Sequence, residues 1–258
     1  MSEGLNVLIG HTGFIGSSLT QGIYDLKINS KVVLAYGTPA NIITIAAPSG
    51  IKYLANKDPD KDAMSCMSLL TTVKNFVGTK KIFLISTIDA LCSTDEPYGK
   101  NRALLVQSLK DYCNEKNIEL FVFYLGMTYG RNARKGMIYD FQHNDTRYYT
   151  TGSYQLYNVN WLEDDMMLCA DKGIHEAVLA SEPIQVKEIA KVMEVSLKGA
   201  PKAGGAKYKV KALGLSLIKK EKILESLSED TVRPAVFDWD TEIKRLVEEH
   251  AFSKDLRK

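Results

Sequence analysis

Two clusters of side chains in this chain could act on a carbon–oxygen bond: Ser86-Thr87, and Tyr98-Gly99-Lys100-Asn101-Arg102. A tyrosine hydroxyl can exchange a proton with a carbinol or carbonyl oxygen while a threonine or serine hydroxyl holds that oxygen. A phenol titrates at about 10 in water, so it works as a base at neutral pH only with a cation near it. Residue i+4 shares a helical face with residue i, which puts Arg102 beside Tyr98 and turns Lys100 elsewhere.

A third stretch, Gly10-His11-Thr12-Gly13-Phe14-Ile15-Gly16, has the spacing of an anion-binding turn. Gly10 suits a tight turn, Gly13 a close backbone approach to a pyrophosphate, and Gly16 close packing of helix on strand. The helix that follows offers free N–H groups and the positive end of its dipole. The spacing therefore predicts a dinucleotide seat, against the plainer alternative of a turn without ligand. An acidic residue normally closes the second strand of such a unit and holds the adenosine ribose. The stretch read here as that strand's end is Tyr36-Gly37-Thr38, with neither an acid nor an arginine, which leaves NAD and NADP both open.

The elements that must position these groups alternate. Leu5 to Ile9 reads as a strand buried on both faces, Phe14 to Leu26 as a helix and Val32 to Tyr36 as the second strand. Ile42 to Ala47 reads as the third strand, closed by Pro48-Ser49-Gly50. Asp60 to Val77 has helical spacing that turns Met64, Met67, Leu70 and Val77 inward. Ile82 to Ile85, Lys100 to Asn114 and Ile118 to Leu125 continue as strand, helix, strand. This alternation predicts a doubly wound parallel Rossmann sheet of the α/β class over about residues 1–135. After Gly130 the rhythm loosens. A short helix is expected near Ile138 to His143, strands at Gln155 to Trp161 and Ala177 to Ala180, and a helix at Asp164 to Lys172. Val186 to Val195 is amphipathic, 198–205 reads as a loop, and helices are expected at Leu217 to Leu227 and Thr241 to Ala251. Part of 155–182 should return to the sheet, with 136–258 forming a small, mostly helical region over the substrate cleft.

Composition narrows the function classes. The 258 residues are 45% hydrophobic and 25% charged, and the formal net charge is +2. That balance is ordinary for a globular protein and gives no reason to expect a nucleic-acid or membrane partner. Residues 198–222 hold eight lysines against Glu221 alone, which reads as a solvated face. The cysteines Cys66, Cys92, Cys113 and Cys169 are widely spaced and form no Cys-x-x-Cys pair, so reduced thiols in the cytoplasm are expected. The start shows neither a basic leader nor an apolar run of spanning length. The four histidines make no metal-ligand spacing, Glu163-Asp164-Asp165 suits a helix start, and Met64-Met67 and Met166-Met167 read as core filler.

Taken in order, the glycine turn, Ala46-Ala47-Pro48, Ser86-Thr87 and Tyr98-Gly99-Lys100-Asn101-Arg102 resemble the extended short-chain dehydrogenase/reductase family. That family holds NAD-dependent epimerases, dehydratases and reductases of nucleotide-linked sugars. Tyr124 to Gly130, Val159 to Asp165 and Ser181 to Ile184 echo its later segments. The resemblance implies that Thr87, with Ser86, orients the substrate oxygen and that Tyr98 is the acid/base. Arg102 stands where the family has lysine, and Tyr124 where it has arginine before Tyr-Gly. The turn residues, Tyr36 and Ala46-Ala47-Pro48 would line the cofactor, while Arg131 and Arg134 would lie near a substrate diphosphate. Helices 61–78 and 98–115 are the pair that would meet in a homodimer. The leading expectation is an NAD(P)-dependent oxidoreductase or epimerase acting on a hydroxyl or keto group. A non-catalytic dinucleotide sensor or scaffold is the alternative.

Overall fold

The computed structural model describes residues 4–231, leaving out 20, 21, 23, 33, 131, 148, 150 and 199–208. The elements run β1 Leu5–Ile9, α1 Phe14–Ser18, β2 Leu26–Ile28, β3 Thr38–Ile45, α2 Lys52–Lys57, α3 Pro59–Lys74 and β4 Phe76–Val77. They continue β5 Lys81–Thr87, α4 Asp89–Cys92, α5 Pro97–Lys116, β6 Glu119–Leu125, β7 Met127–Tyr129, α6 Met137–Gln142 and β8 Ser153–Tyr154. Then come β9 Leu156–Asn158, a 3-10 turn Val159–Trp161, α7 Leu162–Asp171, β10 Glu176–Leu179, β11 Ile184–Gln185, α8 Val186–Val192 and α9 Lys220–Thr231.

Seven strands form one sheet in the order β10-β6-β5-β3-β1-β2, with β4 set against the start of β3. Every pairing in it is parallel. The fold is thus the expected α/β type, a parallel sheet wrapped by helices. The chain steps from β1 outward to β2 and then returns across β1 to β3. The carboxyl ends of β1 and β3 therefore flank the switch point, where open parallel sheets form a ligand crevice.

Side chains alternate across the pleat and bury both faces. On one face Ile9, Ile45, Ile82, Leu84 and Val122 pack beneath α3 and α5 through Leu70, Val73, Leu105 and Leu109. On the other, Leu8, Phe83, Ile85, Phe121 and Phe123 meet Leu19, Leu162, Met166 and Cys169. A third cluster joins Tyr129, Met137, Phe141, Leu156, Ile184, Ile189, Ile223 and Leu227 beside the sheet. Each long helix starts where its sequence directs. The Asp58 side chain accepts from the Lys61 amide at 3.2 Å, Pro59 opens α3, and Pro97 opens α5.

Several expectations are corrected. The second strand is Leu26–Ile28 rather than 32–36, and the first helix is five residues long. The run Tyr24 to Leu26 continued an apolar helical pattern, while a three-residue edge strand carries too little alternation to stand out. The inward stripe of α3 is Cys66, Leu69, Leu70 and Val73, whereas Met64 and Met67 are 72% and 60% exposed. Met167 is exposed and Met166 buried, so only one of that pair fills the core. Val77 lies in a strand rather than on the helix. Most of the expected loop 198–205 and the helix at 241–251 lie outside the described residues.

Leu109 is fully buried between α5 and the sheet. Leu109→Ala should destabilise the protein by about 2–5 kcal/mol in urea unfolding, the cost of lost apolar burial plus an unfilled cavity.

Candidate functional site

The glycine turn leaves β1 at the switch point. Gly10 has φ +90°, and a Cβ there would strike the Ala46 carbonyl at the end of β3. A Cβ on Gly16 would strike the Gly10 carbonyl in turn, so both positions are closed to side chains. Backbone bonds fix the turn: Gly10 N–H donates to Ile28 O at 2.8 Å, Ala46 N–H to Ile9 O at 2.8 Å, and Gly13 N–H to Gly10 O at 3.0 Å. Gly13 differs, because the only nearby atom its Cβ would meet is Gly10 O at 3.4 Å. No side chain caps α1, so the amides of Phe14, Ile15 and Gly16 have no intrahelical acceptor. The buried Nδ1 of His11 in the same turn has no hydrogen-bond partner. Bare amides, an orphaned ring nitrogen and the open approach at Gly13 fit a phosphate linker. Ala46 and Ala47 lie against Gly10 on the opposite side, and Pro48 follows them in the chain.

Tyr36 does not lie beside the turn. It is 82% exposed and precedes Gly37, whose N–H donates to Asn75 O at 2.8 Å, beyond the starting end of β3. The eight residues of β3 separate it from the glycine turn by roughly 25 Å. With the second strand at Leu26–Ile28, the residues at its carboxyl end are Asn29-Ser30-Lys31. They form a turn in which Asn29 Oδ1 accepts from Lys31 N–H at 2.9 Å.

The second half of the site sits where β5 ends. Thr87 ends β5 and donates to Asp89 Oδ2 at 3.0 Å, and its hydroxyl is among the groups that favour ionisation of the Tyr98 phenol. The pleat turns Ser86 to the other face of the sheet, so it does not share the oxygen with Thr87. Tyr98 is buried in the first turn of α5. Gly99 lets that turn lie on α4, since a Cβ there would enter the Asp89 and Ser93 carbonyls. Lys52 from α2 reaches Asp89 Oδ1 at 2.7 Å and Glu96 Oε2 at 2.9 Å. Asn56 donates to Glu96 at 3.0 Å and accepts from the Tyr98 amide at 2.9 Å.

Arg102 lies beside Tyr98, but against the ring. Its Cζ is 4.6 Å from the ring centroid. The guanidinium forms a two-pronged pair with Asp62, at 2.9 and 3.0 Å, and a 2.9 Å bond to Ser49 O. The side chains of this pair are only 5% and 9% exposed. Burial pushes the Tyr98 phenol above its ordinary range, Arg102 pulls it down by less, and Asp89 pushes it further up. The phenol is therefore protonated at neutral pH.

Sequence reasoning missed Lys52, Asn56, Asp62, Asp89 and Glu96. Two signals were present: a buried arginine requires an acid, and Asp89 stands two residues after Thr87. Arg134 is exposed between β7 and α6, and Arg131 lies outside the described residues. Among the described residues no three acidic, histidine or cysteine side chains gather to hold a metal, and no helix is long and apolar enough to cross a membrane. Within the lysine-rich segment, Lys219 pairs with Glu182 at 2.8 Å and Lys220 with Glu188 at 2.9 Å.

No family model matches this chain, and no curated protein matches its sequence. Solved structures share its fold. A UDP-N-acetylglucosamine 4-epimerase from Methanobrevibacter ruminantium M1, in complex with UDP-N-acetylmuramic acid, aligns with TM-score 0.67 at 14% identity, covering 90% of this chain and 98% of that one. A UDP-glucose 4-epimerase from Thermotoga maritima, with UDP-glucose, aligns with TM-score 0.63 at 15% identity over 88% and 97%. A dTDP-4-dehydrorhamnose reductase from Bacillus anthracis, in complex with NADP, aligns with TM-score 0.61 at 14% identity over 89% and 99%. At these identities the likeness establishes the fold.

Removing one partner of a buried ion pair leaves the other charge uncompensated. Arg102→Ala should therefore lower stability by about 3–5 kcal/mol in urea unfolding, where an exposed pair would cost under about 1 kcal/mol.

Proposed function

We propose that this chain binds a nicotinamide dinucleotide and is an oxidoreductase or epimerase acting on a hydroxyl or keto carbon, with a nucleotide-linked sugar as the substrate class. The observation that carries this reading is the switch point itself. A turn built on Gly10, Gly13 and Gly16 lies against Ala46 and Ala47, and Thr87 and Tyr98 stand at the end of β5 and the start of α5, with β5 next to β3 in the same sheet. The fold shared with nucleotide-sugar epimerases and reductases supports it. A bound dinucleotide would supply or take up hydride. Gly13, His11 and the amides of Phe14, Ile15 and Gly16 would hold its diphosphate, and Tyr98 would exchange the proton with the reacting oxygen. Arg134 would lie near a substrate diphosphate.

A second reading is favoured by one observation. Arg102 is bound to Asp62 and Ser49, and Tyr98 is held as a neutral phenol, which suits a dinucleotide-binding sensor that performs no turnover. The two readings separate on Tyr98→Phe. Loss of hydride transfer to or from nucleotide sugars, with dinucleotide affinity unchanged, supports the enzyme. A wild-type protein that binds dinucleotide and transfers no hydride supports the sensor.

Asn29-Ser30-Lys31 offers a cation and hydroxyl and amide groups at the end of β2, where an acid would repel a 2′-phosphate. NADPH should bind about tenfold more tightly than NADH in calorimetric titration, and Lys31→Glu should erase or reverse that preference. Absence of heat with either dinucleotide overturns the whole reading.

The chain should also form a homodimer through α3 and α5. Met64 and Met67 share one face of α3, and Leu104 of α5 is 56% exposed. Sedimentation should give twice the chain mass, and the double change Met64→Lys, Met67→Lys should return it to a monomer. The free thiols, three of them buried, suit a reducing cytoplasm.

A further inference from the structure

The loop that follows β3 touches both halves of the proposed site. At one end Ala46 and Ala47 lie against Gly10. At the other end Arg102 Nη2 donates to Ser49 O at 2.9 Å, and Gly50 faces the Tyr98 hydroxyl. A Cβ placed on Gly50 would meet one heavy atom within 4 Å beyond its chain neighbours, the Tyr98 oxygen at 3.8 Å. Neither backbone nor packing requires glycine here. Its φ lies outside the left-handed region, unlike that of Gly10, and the residue is exposed. The 3.8 Å separation is ordinary van der Waals contact, whereas a Cβ at Gly10, Gly16 or Gly99 would strike backbone. What the missing side chain leaves is open space in front of the phenol oxygen.

The width of that space is set by Arg102. Its guanidinium lies 4.6 Å from the Tyr98 ring centroid while it bonds Ser49 O, so one planar group holds the ring and the loop together. Asp62 anchors the guanidinium at 2.9 and 3.0 Å, and Asn101 Nδ2 donates to the same carboxylate at 2.9 Å and to Pro59 O at 3.2 Å. The gap between Gly50 and the phenol can widen only by breaking this buried network.

We infer that Gly50 is a specificity-determining position: by carrying no side chain it admits a ring carbinol to the Tyr98 oxygen. The inference rests on the oxidoreductase reading above and deepens it. A hydrogen-bonded partner brings its oxygen to about 2.8 Å from the phenol oxygen. A sugar ring also carries carbon on both sides of the reacting carbinol, so it needs room beside the phenol as well as the bond itself. A methyl group at position 50 would border that room. The γ-carbons of valine project roughly 1.5 Å beyond Cβ and would stand inside it. Arg102 prevents the loop from retreating, so the size of residue 50 decides what reaches Tyr98.

The test uses the full chain and the variants Gly50→Ala and Gly50→Val. Urea unfolding should place both at the wild-type midpoint, because the position is exposed and its backbone is unstrained. The first readout needs no turnover: the carbon-13 resonance of the Tyr98 ring carbon that bears the hydroxyl, assigned through Tyr98→Phe. Gly50→Val should move it, and an unmoved resonance overturns the inference. The second readout is appearance of reduced nicotinamide from NAD and NADP with UDP-glucose, UDP-galactose and UDP-N-acetylglucosamine. Here kcat/KM should fall in steps with size, about threefold in Gly50→Ala and about 100-fold in Gly50→Val, with dinucleotide affinity in calorimetry at the wild-type value. Wild-type kcat/KM in Gly50→Val overturns the inference and leaves the oxidoreductase reading standing. A fall in dinucleotide affinity that matches the fall in kcat/KM also overturns it, since position 50 would then belong to the cofactor seat. A wild-type protein that binds dinucleotide and transfers no hydride from any of the three sugars overturns the oxidoreductase reading together with the inference.

Discussion

The proposed site depends on backbone segments touching where side chains would keep them apart. A parallel sheet brings the ends of β1, β3 and β5 to one edge, but their loops can share a crevice only if they approach within van der Waals contact. Gly10 meets the Ala46 carbonyl, Gly16 meets the Gly10 carbonyl, and Gly99 meets the carbonyls of Asp89 and Ser93. Each contact is closed to even a methyl group, because a backbone carbonyl cannot swing aside as a side-chain tip can. The same approach that excludes side chains turns the amides of the first helical turn outward without competitors. Packing and the proposed anion affinity would therefore share an origin at Gly10 and Gly16, and a change at either would alter both together.

Charge follows the same economy. A guanidinium among apolar side chains is tolerated only when its donors are met, and Arg102 meets Asp62 twice, Ser49 O and Cys66 Sγ. The outcome is a rigid pillar between α3 and α5 that supports the face of Tyr98. A lysine ammonium at this position would be a mobile point charge, whereas the planar fork is fixed and locally neutralised. Burial consequently outweighs Arg102 in setting the Tyr98 phenol. Asn56 of α2 accepts from the Tyr98 amide, and Lys52 of α2 ties Asp89 of α4 to Glu96 at the start of α5.

The alternating order of strands and helices was legible because fully buried strands such as Ile82 to Ile85 are continuous apolar runs. The glycine turn was legible because its spacing reflects contacts that tolerate no Cβ. That Thr87 lies at a strand end and Tyr98 at a helix start could be read from position alone. What was not legible traces to long-range partners and short elements. Lys52, Asp62 and Asp89 join the site across tens of residues, and nothing local in a lysine or aspartate announces whom it will meet. The edge strand Leu26–Ile28 has three residues, too few for a period of two to show against a helical background. Misplacing it carried Tyr36 into the expected site and passed over Asn29-Ser30-Lys31, the residues that follow the strand. Met64 and Met67 were assigned inward by spacing, yet spacing gives a face and not which neighbour covers it.

The shortened first half has a consequence for the kind of chemistry the crevice suits. Between β2 and β3 the described residues hold no helix and no further strand, and β2 is the outermost strand of the sheet. The adenosine end of a dinucleotide seated at the glycine turn would thus meet Asn29-Ser30-Lys31 on one side and solvent on the other. Binding free energy would come mainly from the diphosphate amides and from the Ala46-Ala47 side of the turn. A cofactor held at one end and open at the other can leave between turnovers. An epimerase must keep its cofactor through oxidation and re-reduction of the same sugar, whereas a dehydrogenase or reductase releases it after one hydride. Within the proposed class, the thin adenosine wall points to cofactor exchange after each hydride transfer.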